Sequence, residues 1–431
     1  PIPKNMINKE SPHYKWFVLG SLTLVYMFNF IDRQVIIILQ EPIKADLGLS
    51  DTQIGMMTGL AFAALYVVLG VPIARLADKS NRKNIISASL VVWSAMTVLS
   101  GRAMNFPQML LTRIGVGIGE AGCTPPAHSI ISDYFPPEKR ATAISVYTTG
   151  IYLGILVGFL IGGFVAKLYG WRAAFYLLGI AGIIFAAFFY FTVKEPIRGH
   201  FDQLSSSTLE EASLKEVIYT LFSKKTFVYL SLATGFQAFY SYGTNSFLPS
   251  FLNRIHDIEL LNVSIILGLA VGIGGGIGAF LSGFLADRFR HKDLRWYLWI
   301  PMLGCFFNMI PCAFLYFSDN TDIAVAAIFF IGILSPMYIA PSIAVSLSLV
   351  NAQMRAFTSA IYIFVLNFIG LGFGPLIVGF ISDVLTPKYG ALSLRWAFAV
   401  TFIPVLISIL LFYIASTHYV KDFEAAENKL V

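Results

Sequence analysis

Four ionisable side chains stand inside stretches that are otherwise apolar: Asp32 and Arg33 in one, Arg113 and Glu120 in another. A charge in hydrocarbon is costly, so such groups face a cavity or one another and mark ion or substrate paths. Arg113 and Glu120 are seven residues apart, close to two helical turns, so they share one helix face and lie about 10 Å apart along its axis. Asp32 lies about 25 Å along its own helix from Lys15, and Arg113 about 9 Å into the antiparallel helix from Pro107. Across a hydrocarbon core of about 30 Å these two reach nearly one depth. One arginine would then serve two carboxylates at different depths. A carboxylate beside arginine favours ionisation and a desolvated one favours its proton, so an arginine that changes partner moves proton affinity between sites. The spacing predicts a proton-coupling set of Asp32, Arg113 and Glu120. The alternative is a static ion network that fixes two helices. Against it, the pseudo-equivalent positions in the second half of the chain are Ser241 and Ser335, so packing does not require the charges.

Other polar residues are candidates for holding a substrate. Arg33 points roughly 100° away from Asp32. It either faces the cavity and attracts an anionic head group, or snorkels to the outer interface. His128, two turns beyond Glu120, would extend a proton path or hydrogen-bond within the bundle. In the second half Gln237, Tyr240, Tyr242, Asn245 and Asn367 stand among many phenylalanines. They predict a cavity polar on one side and greasy on the other, with Asn245 and Asn367 as substrate-binding candidates beside Arg33. Bundle hydrogen bonding is the competing explanation for each.

These residues need long helices to carry them. The chain has 431 residues, 57% hydrophobic and only 13% charged, with a mean hydropathy of +0.72, whereas soluble domains run near a quarter charged. Apolar runs of the ~20 residues that a spanning helix needs recur near 15–39, 52–77, 84–104, 108–133, 139–167, 172–193, 226–252, 262–286, 295–317, 322–349, 356–384 and 395–417. Twelve spans leave both ends on one side. With the N-terminus inside, 20 of the 30 Lys and Arg fall on the inner side, seven outside and three within spans, so both termini are expected to be cytoplasmic. The first span has no cleavage-site pattern before it and is expected to remain as an anchor. The net charge of +6 then belongs to inner loops, not to nucleic-acid binding. Cys123, Cys305 and Cys312 fall inside spans, where no structural disulfide is expected.

The longest polar stretch divides the chain into an N-terminal six-helix bundle (1–193), a cytoplasmic linker (194–225) and a C-terminal six-helix bundle (226–431). In the linker Ser207 with Glu210 forms a capping-box pattern before an amphipathic run. A shift of 209 places Asp287 on Asp78; shifts of 215 or 216 place Pro341 on Pro126, Arg355 on Arg140 and Gly374 on Gly158. Two parallel repeats of six spans are the architecture of the major facilitator superfamily. Ala74-Arg75-Leu76-Ala77-Asp78-Lys79-Ser80-Asn81-Arg82-Lys83 and its second copy around Asp287 and Arg288 resemble that superfamily's cytoplasmic loop motif. Asp78, Arg82, Lys83, Asp287 and Arg288 are the predicted cytoplasmic gate, latching helix ends by charge-assisted bonds. Otherwise they merely orient the loops. The glycines of Gly154-x-x-x-Gly158 and Gly370-x-x-x-Gly374 predict close helix packing. The first run lacks the proline usual in drug/proton antiporters.

Asn29-Phe-Ile-Asp32-Arg33, Asp78-Lys-Ser-Asn81-Arg82-Lys83 and Arg113-x-x-x-Gly-x-Gly119-Glu120-Ala121 together resemble the spinster family of lipid transporters, in a form similar to bacterial members. The resemblance implies an all-α polytopic membrane protein of the major-facilitator fold, twelve transmembrane helices in two pseudo-repeated bundles around a central cavity. It implies proton-linked export of sphingosine-1-phosphate or lysophospholipid-like amphiphiles, with Asp32, Arg113 and Glu120 in the coupling roles. An Asp-Arg pair in the first helix also resembles organic-anion symporters, so a small organic anion or drug is the alternative cargo. A channel or scramblase is a further reading, and it would tolerate loss of either carboxylate. No zinc-binding, nucleophile-elbow or P-loop pattern occurs, so no enzyme, metal or cofactor is expected, only a proton gradient as driving force. The expected setting is a monomer among membrane lipids in a bacterial inner membrane.

Overall fold

The computed structural model describes residues 13–198, 214–351 and 354–427. The Ser207 and Glu210 capping pattern lies outside the described residues. Among the described residues every regular element is helical. We number the long helical rods α1 (Tyr14–Ile38), α2 (51–79), α3 (Arg82–Ser100), α4 (106–134), α5 (Pro137–Tyr169), α6 (Trp171–Thr192), α7 (Lys225–His256), α8 (260–289), α9 (Trp296–Phe317), α10 (321–348), α11 (355–389) and α12 (393–427). Two short helices, Gln40–Leu47 and Leu214–Ser223, lie between rods.

Local chemistry sets the rod ends. Ser50 and Gln53 close a capping box at the start of α2, and Asn81, Asn105 and Asn320 each accept backbone N–H groups at the starts of α3, α4 and α10. These side chains satisfy donors that the first helical turn leaves unpaired. Gly170, at φ 82°, makes the tight reversal between α5 and α6, a conformation that costs glycine little.

Among the described residues nine helical runs are long and apolar enough to span a membrane, one of them joining α11 and α12. The two rods outside that set are α4 and α7. In α4 the helix breaks at residues 121–123, just past Glu120. In α7 the sequence is rich in Ser, Thr, Asn and Gln. The rods lined by cavity chemistry are thus the least lipid-like.

Within the first half α1 packs on α5 and α3 on α6; within the second, α7 packs on α11 and α12. The glycine runs make these contacts close: a Cβ added at Gly154 would stand 2.6 Å from the Met27 carbonyl, and one at Gly374 2.5 Å from that of Phe239. The halves meet chiefly at the end opposite the termini, which we call the distal end. There α2 lies against α11 and α5 against α8. Gly55 has room for no side chain, since its Cβ would fall 2.2 Å from the Pro375 carbonyl oxygen. The π-helical turns Met56–Leu60 and Asn367–Phe373 lie on the two sides of this seam, and such turns concentrate at functional sites. Toward the termini the paired ends of α2 and α11 diverge.

Candidate functional site

Helix α4 carries its two charges on the side facing α1 because its small residues allow a close approach to α2 and α3. A Cβ at Gly117 would lie 2.7 Å from the Phe62 carbonyl oxygen, and one at Gly119 2.7 Å from the Trp93 nitrogen. Arg113 is 2% exposed and Glu120 1%. The cation that holds Glu120 is Arg33: its Nε donates to Glu120 Oε2 at 2.7 Å. The Arg33 guanidinium sits 5.0 Å from the Phe30 ring centroid, 4.5 Å from Phe62 and 4.9 Å from Tyr66. Aromatic faces offset part of the desolvation of a cation.

This pairing differs from the one read along α4. Groups seven residues apart on one helix are not in contact distance, unlike those three or four apart, whereas Arg33 on the facing helix lies level with Glu120. Arg113 acts on Glu120 and Asp32 from farther away. Asp32 forms no ion pair with a described residue, and Thr97 of α3 borders it. Arg33 does not snorkel to an interface; it is drawn inward by Glu120. His128, exposed at its helix surface, packs edge-on against Tyr147.

From the second half, Tyr242 of α7 faces Arg33 and Tyr66. Asn245 donates to Ser241 Oγ at 3.4 Å, and Ser241 meets Ser335 of α10 at 3.2 Å, so the positions equivalent to Asp32 and Glu120 carry neutral hydroxyls in hydrogen-bond contact. Asn367 opens the π-helical turn of α11 and is 8% exposed. Tyr240 turns the other way, into the core of its half, where Asn308 Nδ2 donates to its hydroxyl at 2.9 Å and Cys312 Sγ lies 2.9 Å off. Two residues along a helix is roughly 200° of rotation, which puts Tyr240 and Tyr242 on opposite sides.

The family pattern of the Major Facilitator Superfamily matches residues 22–375. The chain belongs to that superfamily. Its structure superposes on that of a bacterial homologue of the human lysosomal transporter Spinster, in an inward-facing and unoccupied conformation, with a TM-score of 0.89, 32% identity, and coverage of 96% of this chain and 99% of the other. An MFS-type efflux pump of Mycolicibacterium smegmatis is 33% identical over 96% of each chain. The sphingosine-1-phosphate transporter SPNS2 of Mus musculus is 26% identical over 95% of this chain and 78% of its own. Within the superfamily this chain is a spinster-type member, an integral membrane transporter and not an enzyme.

A facilitator of this architecture works by rocking one half against the other, so the contacts at the two ends of its cavity matter. At the termini end Arg82, 1% exposed, donates to Asp133 Oδ2 at 2.5 Å, to Glu195 Oε1 at 2.6 Å and to Ser129 Oγ at 2.8 Å. The Lys83 backbone N–H donates to Glu195 Oε2 at 2.8 Å, and its Nζ to the Tyr190 carbonyl at 3.2 Å. None of these bonds reaches the second half; Glu195 stands at the start of the linker and the other partners belong to the first half. In the second copy Asp287 accepts the Tyr297 hydroxyl at 2.5 Å, and Arg288 stands in the last turn of α8. The Asp78 side chain lies outside the described part of the structure.

At the distal end a charge cluster joins the halves, and the sequence reading did not find it. Arg254 of α7 reaches Glu41 at 2.6 Å and Asp51 at 2.8 Å. Lys44 also pairs with Asp51 at 2.5 Å. Asp383 of α11 accepts the Asp51 and Thr52 backbone N–H groups at 3.0 and 2.7 Å and the Thr52 hydroxyl at 2.6 Å. A carboxylate from the second half thus caps the first turn of α2, where helix N–H groups and dipole favour negative charge. Ser382 adds a bond to Asp51 at 2.7 Å. The one local signal was the Ser50-to-Gln53 cap, which marks a helix start but names no partner some two hundred residues away.

Proposed function

We propose that this facilitator moves an anionic amphiphile, of the sphingosine-1-phosphate or lysophospholipid kind, by proton-coupled alternating access. The observation that carries the reading is the Arg33–Glu120 pair, closed at 2.7 Å inside the membrane. Arg33 has one cation for two claimants. While Glu120 is ionised it holds the guanidinium; when Glu120 takes a proton the guanidinium is released toward the cavity, where Phe62, Tyr66 and Tyr242 would flank a bound head group. Proton and anionic substrate then meet through one side chain, and each alters the other's affinity, as linkage requires. Asp32, near Arg113 but in no ion pair with a described residue, is the second proton site, and Arg113 biases both carboxylates. Asn245 and Asn367 offer neutral contacts from the second half.

The aromatic rim of Arg33 favours an amphiphile. The likeness to a sphingosine-1-phosphate transporter supports the same class. The likeness to an efflux pump keeps a drug or small organic anion as the second reading, for which a compact cargo would compete equally well for Arg33. We place both termini in the cytoplasm of a bacterial inner membrane from the Lys and Arg bias, so the sealed distal end is the outer one. No cofactor takes part in this scheme, only the proton gradient, and the working unit is a monomer.

The test is transport of a fluorescent lysophosphatidic acid by proteoliposomes with and without a proton gradient, comparing the native chain with Asp32→Asn and Glu120→Gln. The scheme expects the gradient to change native transport and both variants to lose that response. Transport that ignores the gradient would point to a facilitator or scramblase. Failure of lysolipid to move while small organic anions do would establish the second reading.

A further inference from the structure

Among the described residues, four buried polar atoms on Glu120, Asn29 and Arg113 have no partner within hydrogen-bond distance: Glu120 Oε1, Asn29 Oδ1, Arg113 Nε and Arg113 Nη1. The residues that carry them are 1–2% exposed. Asn29 lies against the Glu120 carboxylate, and Arg113 interacts electrostatically with Glu120 and with Asp32. Leaving one such group unpaired costs about 1–3 kcal/mol, so four on three interacting side chains of a native fold require an explanation. Two are donors and two are acceptors. A water molecule offers two donors and two acceptor sites, and buried waters typically make about three such bonds.

We propose that Asn29, Glu120 and Arg113 hold a buried water that carries the proton between Glu120 and Asp32, with Asn29 as the positioning residue for that step. The inference rests on the proton-coupled reading above and deepens it. Asn29 sits one turn before Asp32 and Arg33 on α1, about 4.5 Å nearer the termini than Asp32. Its side chain lies against the Glu120 carboxylate, one helical turn from Asp32 on the same helix. In the transfer the Glu120 O–H bond breaks and its proton goes to the water oxygen. One of that water's own protons goes to an Asp32 carboxylate oxygen. Water is regenerated, Glu120 becomes the carboxylate that Arg33 holds, Asp32 becomes neutral, and the net charge of the site is unchanged.

The surroundings leave few competing routes. Glu120 faces Arg33, Asp32 and Asn29 from α1, and Arg113 and Cys123 from its own helix. Tyr26, Tyr66 and Tyr242 from α1, α2 and α7 face Arg33. Tyr147 of α5 reaches Cys123. From α3, Thr97 borders Asp32 but already donates to the Trp93 carbonyl at 3.0 Å.

The experiment is infrared titration of the full chain in nanodiscs, comparing native protein with Asn29→Leu, Asn29→Gln and Glu120→Gln. The carboxyl band absent from Glu120→Gln belongs to Glu120. Asn29→Leu, which removes both the amide donor and the water's acceptor, should move that band's midpoint to more alkaline pH by about one unit, a tenfold change. It should also abolish the O–H stretch that shifts in oxygen-18 water, while Asn29→Gln restores both. An unchanged midpoint and an unchanged water band in Asn29→Leu would overturn the proposal. Thermal melting of the same samples separates misfolding from these readouts. If native transport ignores a proton gradient, the coupled reading falls, and these spectra still decide whether Asn29 holds the water.

Discussion

Replacing Arg254 by Met should open the distal end. The substitution removes bonds to two carboxylates, Glu41 at 2.6 Å and Asp51 at 2.8 Å. Asp51 is buried and Glu41 half-buried, so screening by solvent is partial. Hydrogen bonds to charged groups are worth about 1.5–3 kcal/mol each. Taking the low end for both gives about 3 kcal/mol of differential stabilisation for the state in which the halves touch there. That corresponds to roughly a 150-fold shift in the ratio of states. Lys44 still neutralises part of the Asp51 charge, which argues for the low end. The assay is pulsed electron paramagnetic resonance on the full chain in nanodiscs, with spin labels at Ala45→Cys and Lys388→Cys, both exposed at the distal end and on opposite halves. The three native cysteines are buried. The label distance should lengthen in Arg254→Met and should stay short in a control that mutates Arg172, whose pairing with Asp46 lies within one half. An unaltered distance distribution in Arg254→Met would refute the assignment of this cluster as the distal gate.

Glu120→Gln leaves Arg33 without its carboxylate, so an anionic lysolipid should bind about tenfold more tightly, by fluorescence titration, even as the response to a proton gradient disappears. Gly55→Val should hinder distal closure, since even a Cβ there meets the Pro375 carbonyl at 2.2 Å; the same label pair should report a longer distance. Arg82→Leu takes the guanidinium from Asp133 and Glu195, one buried and one half-buried, and should lower stability by about 3 kcal/mol, seen as a fall in the melting temperature.

Much of this architecture was legible because the bilayer imposes a simple rule: a spanning segment must be long, apolar and helical. Ten of the twelve rods obey it, and the remaining two, α4 and α7, were still found because their polar residues interrupt apolar runs instead of replacing them. The repeat was legible because Asp78 and Asp287, and the paired glycine runs, recur at fixed offsets. That Asp32, Arg33, Arg113 and Glu120 turn inward to one another was legible from the cost of a charge in hydrocarbon. The partner of Glu120 was not, because spacing along α4 gives the relation of Arg113 to Glu120 but nothing about which residue of α1 lies level with it. The distal cluster was hidden for the same reason. Glu41 and Arg254 fall in outer connections and Asp383 at the end of a span, and nothing in their spacing joins them until folding brings three distant segments together. Tyr240 and Tyr242 looked alike in sequence and separate only when helix rotation is known.

The most direct test of the central claim is to impose a gradient of lysophosphatidic acid across proteoliposomes at equal pH and to follow the luminal pH with an entrapped dye. Proton-coupled transport predicts a luminal pH change driven by the lipid gradient in the native chain and none in Glu120→Gln. Lipid movement without any pH change in the native chain would contradict the account.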